Sequence, residues 1–313
     1  MCDDRQTGPD AAFLHEITDG AYAWVQPDGT WWVNNAGAVH GGDGTIVIDT
    51  CATDVRTRRF LAAVDAATGG APVRTAVNTH HHGDHTYGNS LLPDETVIVG
   101  HTRMRAELLA DPVIDGCPPA WSPLPDWGQV TRRVPRLTFD TQLTLHTGAR
   151  RVELRHPGYR AHTAGDVVAW LPAERVLYAG DLIFHGLTPL VLMGSVTGAL
   201  RALDWLAGFD AAHIVPGHGP LATGSELPGI LAAHERYYRF VLATAQDGIR
   251  QAMPPLAAAR HADLGEFADW ADAERIVLNL HRAYADAAGS DPDVTAAFTD
   301  AVGYHGGFLP TSV

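Results

Sequence analysis

The sequence predicts an α/β protein organised around a metal site. Three observations carry this. Short β-branched runs such as Gly44-Thr45-Ile46-Val47-Ile48 alternate with segments of helical period. Several of these runs stop at Gly-containing turns that hold His or Asp, where sites assemble on a rigid scaffold. From about residue 226 the chain turns helical. Its 313 residues suffice for one large core, or for one domain with an added helical segment.

Composition narrows the class. A hydrophobic content of 46% marks a globular chain. A formal net charge of −14 argues against a general nucleic-acid binder. No run of 18 apolar residues is present, so no membrane helix is expected. Residues 1–10 lack the basic and apolar regions of a signal peptide. Cys2, Cys51 and Cys117 have no paired spacing, which fits a reducing cytoplasm. Every basic residue is Arg; without Lys, Schiff-base chemistry is excluded.

In chain order, residues 1–12 read as loose. Tyr22–Gln26 reads as a strand, Pro27-Asp28-Gly29 as a turn, and Thr30–Asn34 as a returning strand. Adjacent Trp31 and Trp32 then face opposite sides. One is core, and the other is either a scattered surface aromatic or a wall over a substrate pocket. Gly44–Thr50 is a strand whose Asp49 either braces the metal loop or caps a turn. Asp54 opens a helix with Phe60, Leu61 and Val64 on one face, ending at Gly69-Gly70. Thr96–Val99 is a strand and His101–Leu109 a helix. Residues 111–136, with six prolines, form a long loop. Strands follow at Leu143–Leu145, Val152–His156, Val167–Leu171, Val176–Ala179 and Ile214–Pro216, with a helix at Ser195–Phe209. In the tail, one helix stops at Pro254-Pro255, a second covers Ala271–Ala287, and Asp291-Pro292 opens a third. The tail is a cap, a homodimer surface or, most plainly, an extension of the core.

The metal prediction rests on His80-His81-His82-Gly83-Asp84-His85, which follows the buried strand Pro72–Thr79. Residues i and i+2 of an extended chain project to one side, so His80 and His82 reach one ion together. Asp84 and His85 follow Gly83, a free bend, and reach a second ion. Imidazole and carboxylate donors without thiolate suit Zn²⁺; Mn²⁺ or Fe²⁺ suits them too. His162, Asp181 and His218 stand at strand ends and become candidate ligands only because the first cluster exists.

Taken together, His80-x-His82-x-Asp84-His85, His162, Gly180-Asp181 and Pro216-Gly217-His218-Gly219 resemble the metallo-β-lactamase superfamily over roughly residues 15–220, with Asp49 matching its first motif. The resemblance implies a four-layer αββα sandwich with metals at one edge between the sheets. That domain would cover 13–225, with residues 226–313 a helical extension packed on it. One zinc would take His80, His82 and His162, and the other Asp84, His85 and His218. Asp181 and a water or hydroxide would bridge them. An Asp at position 181 resembles the thioesterase, lactonase and phosphodiesterase branches rather than β-lactamases, which usually carry Cys or Ser there. His82 departs from the flavodiiron branch, which usually has Glu.

Trp31-Trp32-Val33-Asn34-Asn35, Leu192-Met193-Gly194-Ser195-Val196 and Asp272-Ala273-Glu274-Arg275-Ile276-Val277 resemble the second-ring cyclases of bacterial aromatic polyketide pathways. That implies aldol ring closure and hydrolysis of a carrier thioester. Asp84 would orient the nucleophile and move a proton. His185 is a candidate base, although a plain loop histidine is the simpler reading. Tyr87 is a candidate oxyanion donor, with packing the simpler role. Trp31 and Trp32, joined by Trp121 or Trp127, would line an aromatic pocket. An acyl carrier protein would need local Arg: Arg132, Arg133 and Arg136, or Arg56, Arg58 and Arg59, unless these are merely solvated. The competing readings are a general zinc hydrolase of lactones or small thioesters, and a non-catalytic metal-binding scaffold.

Overall fold

The computed structural model of the chain describes residues 12–26 and 28–313. The first strands run as a meander: β1 (Phe13–Thr18), β2 (Ala21–Val25), β3 (Ala36–Gly41) and β4 (Gly44–Ile48), each antiparallel to the one before. The chain then crosses over through helix α1 (Asp54–Ala67), where Thr53 Oγ1 caps the Arg56 N–H. It returns as β5 (Val73–Val77), parallel to β4. A short helix α2 (Gly83–Thr86) and a 3₁₀ turn (Tyr87–Leu91) precede β6 (Val97–His101), again parallel. Helix α3 (Thr102–Ala110) leads into the proline-rich loop, which holds the two-residue β7 (Trp121–Ser122). β8 (Leu137–Phe139) closes a seven-stranded sheet in the order β1-β2-β3-β4-β5-β6-β8.

The second sheet contains β9 (Gln142–Thr147), β10 (Arg150–Arg155), β11 (Val168–Leu171) and β12 (Val176–Phe184). After helix α4 (Val196–Ala207) come β13 (His213–His218) and β14 (Ala222–Thr223), in the order β14-β13-β12-β11-β10-β9. Only β12 and β13 pair in parallel, across the α4 crossover. The two sheets face each other over Val39, Ile46, Ile48, Val77 and Val99 on one side and Val152, Leu154, Ala169, Tyr178 and Val215 on the other. α1 covers the outer face of the first sheet through Phe60 and Val64. α4 covers the second through Ala199, Leu203 and Leu206. The result is the αββα sandwich that the resemblance implies.

The tail consists of α5 (Leu227–Arg250), α6 (Pro255–His261), α7 (Arg275–Ala288) and α8 (Val294–His305), ending in β15 (Leu309–Pro310), which pairs with β7. Val241, Ile276 and Leu280 join Leu203, Leu206 and Ile214 in one continuous apolar cluster. No helix among the described residues is long and apolar enough to cross a membrane.

Several local expectations fail for identifiable reasons. Thr30–Asn34 is not a returning strand; β2 pairs with β3 instead, and residues 30–35 form a turn in which Trp32 takes φ +67°. Pro27 of the expected turn lies outside the described residues. β12 does not end at Gly180 but runs on through Asp181 to Phe184, with its register broken at Gly180. The third expected tail helix starts later: Asp293, not Asp291, caps α8, accepting the Ala296 N–H at 3.0 Å. The run Pro255–His261 is an added helix.

One close approach locks the sheets. Tyr178 of β12 donates its hydroxyl to Tyr22 O at 2.9 Å across the sandwich, and its ring lies over Gly37. A Cβ at Gly37 would stand 2.2 Å from Tyr178 Cε1. Gly37→Ala is therefore expected to lower stability by about 1–3 kcal/mol through overpacking, measured by denaturant unfolding, with Tyr178→Ala in the same background restoring part of the loss.

Candidate metal centre

The site forms where parallel pairing turns the ends of strands toward one edge. Asp49 follows β4, and β5 leads through Asn78 and Thr79 to the His loop. β12 carries Asp181, and β13 ends at His218. His162 comes from the β10–β11 connection. These residues fall into two groups whose ligand atoms lie within 4.8 Å of one another: His80, His82, His162 and Asp181, and Asp84, His85 and His218. All are buried except His82, which is half-buried.

The i, i+2 reading holds in the geometry. His82 Nδ1 lies 3.1 Å from His80 Nε2 and 2.9 Å from His162 Nε2. His81 between them turns away, with Nδ1 3.1 Å from Glu107. Gly83 differs from expectation: it starts the α2 turn rather than serving as a free bend. It has to be Gly because a Cβ there would meet the Tyr87 ring at 2.2 Å.

The tautomers follow from the partners. His85 Nδ1 faces Asp49 Oδ2 at 2.8 Å, His162 Nδ1 faces Leu190 O at 2.6 Å, and His218 Nδ1 faces Gly29 O at 2.8 Å. Each partner only accepts, so each Nδ1 donates. His80 Nδ1 lies 3.1 Å from Thr79 Oγ1, whose own proton goes to Asp49 Oδ2 at 2.7 Å. When neutral, these four rings aim Nε2 lone pairs inward. They meet carboxylates: Asp181 oxygens lie 3.1 Å from His85 Nε2, 3.3 Å from His218, 3.4 Å from His162 and 3.8 Å from His80. Asp84 Oδ2 lies 3.1 Å from His218 Nε2. His85 Nε2 and Asp181 Oδ1 are buried with no hydrogen-bond partner.

Acceptors facing acceptors in a buried space require a cation. Without a metal ion, protons take that role. Burial opposes charge on His218, yet Asp181 and Asp84 raise its pKa to about 9. Burial likewise opposes charge on His85, but Asp181, Asp84 and Asp49 pull its pKa well above the usual value. Burial alone would raise the Asp181 pKa, but His218, His85, His80 and His162 hold it well below the carboxylate range. Nitrogen and oxygen donors from five His and two Asp, with Asp181 between the groups, fit two divalent ions.

Asp49 sits behind the loop as a brace. Besides His85, it accepts Thr79 N–H at 2.7 Å. It holds φ +60°. The sequence does not single out Asp166, which anchors the His162 loop by accepting Thr163 N–H at 2.9 Å and the Thr163 hydroxyl at 2.5 Å. Nor does it single out Asn35, which donates to Pro216 O at 3.0 Å and Gly219 O at 2.8 Å on either side of His218. The Thr-x-x-Asp spacing of 163–166 was the available signal for the first.

Other expected site residues are placed differently. The His185 side chain makes no hydrogen bond to either ligand group; its Nδ1 faces Pro220 O at 2.9 Å. The Tyr87 hydroxyl is committed to Asp111 at 2.7 Å, and the ring is buried. Trp31 is core: its indole donates to Glu274 at 2.6 Å, and Arg275 lies 4.5 Å over its ring. Trp32 is half-buried and packs against Tyr87, Trp121 and Trp127. Arg56 is buried against Gln26 and Ser312, and Arg133 donates to backbone carbonyls including Leu92 O at 2.7 Å. Arg132 donates to Asp111 O and Asp115. These three hold loops; Arg58, Arg59 and Arg136 are exposed.

The signature of the metallo-beta-lactamase superfamily matches residues 29–218. The chain belongs to the metallo-β-lactamase superfamily. Its fold is that of the superfamily, and its His/Asp clusters could hold metal ions. A curated relative, 2,4-dinitroanisole O-demethylase subunit alpha of Nocardioides sp., is 29% identical over 214 residues, covering 68% of this chain and 57% of that protein. Metallo-beta-lactamase type 2 of Elizabethkingia meningoseptica is 24% identical over 176 residues, covering 55% of this chain and 63% of that protein. The chain thus spans less than two thirds of the length of these relatives. Among solved structures, a metallo-β-lactamase from Pontibacter korlensis superposes with TM-score 0.59 at 19% identity over 73% of this chain and 99% of that one. The sec-alkylsulfatase Pisa1 from Pseudomonas sp. superposes with TM-score 0.67 at 16% identity over 91% of this chain and 51% of that one. At these identities the likeness to solved structures is one of fold.

Two outcomes follow. Asp49→Ala removes three hydrogen bonds to the ligand loop and is expected to weaken metal affinity by about 10–100-fold, measured by chelator competition. Metal binding must expel the protons held by His85 and His218. Affinity is therefore expected to rise with pH up to about 9, the His218 value, by about tenfold per unit for each proton released; titrations at pH 7 and 8 check this.

Proposed function

We propose that the chain is a dinuclear zinc enzyme for a flat aromatic substrate. Its favoured substrate is an aromatic polyketide held as a carrier thioester, which it closes by aldol chemistry and releases by hydrolysis. The observation that carries the choice of substrate is the aromatic cluster on the turn that braces His218. Trp32 presents a half-buried face backed by Tyr87, Trp121 and Trp127, with ring centroids 6.4, 5.2 and 4.7 Å away. The turn that carries Trp32 begins at Gly29, whose carbonyl holds His218, and ends at Asn35, which braces the other side of that ligand. A planar substrate stacked on Trp32 would sit on the turn that braces His218.

When bound, zinc ions polarise a carbonyl and lower the pKa of water to about 7. The chain's own residues do the rest. Asp84, against His218, is placed to accept and move a proton. Asp181 holds the two ligand groups in one arrangement. Asp49 and Thr79 fix the His85 and His80 rings so that no reorganisation accompanies the reaction. Burial of the ligands excludes bulk water. Tyr87, with its hydroxyl spent on Asp111, contributes packing.

A second reading is cleavage of an aryl ether, favoured by the 29% identity to the 2,4-dinitroanisole O-demethylase subunit. Both readings place an aromatic ring on Trp32. The deciding assay offers an aromatic polyketide-mimic thioester, an acetyl thioester, a simple lactone and 2,4-dinitroanisole, each with and without chelator. Chelator-sensitive cyclised product from the first supports the cyclase. Turnover of 2,4-dinitroanisole alone selects the ether reading, and equal turnover of the acetyl thioester or lactone selects a general hydrolase. Trp32→Ala is expected to raise KM for the aromatic substrate about tenfold or more, given roughly 1–3 kcal/mol for aromatic stacking, while leaving small acyl substrates unchanged.

A further inference from the structure

The tail motif around Asp272–Leu280 carries no ligand, yet it reaches the metal centre through a single peptide unit. His162 is oriented by Leu190 O, 2.6 Å from its Nδ1. Residues 188–191 lie outside any strand, so no sheet ladder aims that carbonyl. The Leu190 C=O and the Val191 N–H belong to one planar trans peptide and point in opposite directions. The Val191 N–H donates to Asn279 Oδ1 at 2.8 Å. One end of this peptide is therefore held by helix α7 and the other by a candidate metal ligand.

The preceding peptide is held by the same side chain: Asn279 Nδ2 donates to Pro189 O at 2.8 Å. Its second proton goes to Tyr237 Oη at 2.9 Å. The amide orientation is unambiguous, because its oxygen faces an N–H and its nitrogen a carbonyl. Asn279 is fully buried, and its oxygen and both amide protons are directed in this way. Neighbouring bonds moor the same segment: Arg275 donates to Thr188 O at 2.9 Å, and the Thr188 N–H to Ala271 O at 3.0 Å.

We propose that Asn279 is a positioning residue of the metal centre, setting the His162 ring through the Leu190–Val191 peptide. This rests on the reading that His80, His82 and His162 hold an ion. A purely structural Asn279 would affect folding stability but not the ligand field of that ion.

The test uses the full chain loaded with Co²⁺ as a spectroscopic probe, with affinity from chelator competition. Asn279→Ala is expected to shift the visible absorption of the bound cobalt and to weaken one of the two binding steps about tenfold or more. His281→Ala, on the same helix but with its contact to Asp300 only, is expected to leave spectrum and affinities at parent values. If Asn279→Ala fails to fold by circular dichroism, Asn279→Asp decides: it keeps the acceptor for Val191 and loses the donor to Pro189 O, so a smaller shift in the same direction is expected. A folded Asn279 variant with parent spectrum and parent affinities overturns the proposal. A parent chain that takes up no cobalt overturns the metal reading and this proposal with it.

Discussion

Four inward-facing imidazole lone pairs converge on two buried carboxylates, and most of the fold can be understood as holding that arrangement together. Such a cluster repels itself unless a cation fills it, and it scatters unless each ring is fixed from behind. The rings are fixed by acceptors spread through the chain: Asp49 at the end of β4, Gly29 O on the Trp turn, Leu190 O on the segment before α4, and Thr79 on the loop itself. No one supersecondary unit supplies both a ligand and its brace for all four rings, so the two sheets must meet in register before the site exists.

The sandwich meets that demand at the ends of its parallel-paired strands. β4 and β5 in one sheet and β12 and β13 in the other finish at the same edge, so Asp49, the His loop, Asp181 and His218 arrive together. The Tyr178–Tyr22 hydrogen bond and the contact of Tyr178 with Gly37 lock the sheets at that spacing. The helical tail then shares the apolar core of the second sheet and grips both the Trp31 turn, through Glu274, and the segment that orients His162.

The His80–His85 part of the candidate ligand set was legible because chemistry constrains it locally; His162, Asp181 and His218 were legible through the family resemblance. Alternation along an extended chain put His80 and His82 on one side, and the odd residue, His81, does turn away. Most strands and helices were legible from period and punctuation. What failed was set by long-range packing. The Trp31-Trp32 pair looked like strand, but Trp31 is drawn to Glu274 and Arg275 far along the chain, leaving Trp32 in a left-handed turn. Tyr87 and His185 looked chemical by proximity in sequence; the Tyr87 hydroxyl is committed to Asp111, and His185 Nδ1 faces Pro220 O. The sequence does not single out Asn279: its partners Val191 and Pro189 lie about ninety residues away, and no local pattern points to them.

The substrate reading depends on the aromatic wall; the chemistry depends on the cluster, and the cluster can be tested by itself. Elemental analysis of the full chain purified without chelator is the most direct test. The account predicts two divalent transition-metal ions per chain, lost to strong chelators and restored by zinc. A chain that holds none, and takes up none when zinc is supplied, would contradict the claim that these seven side chains form a metal centre.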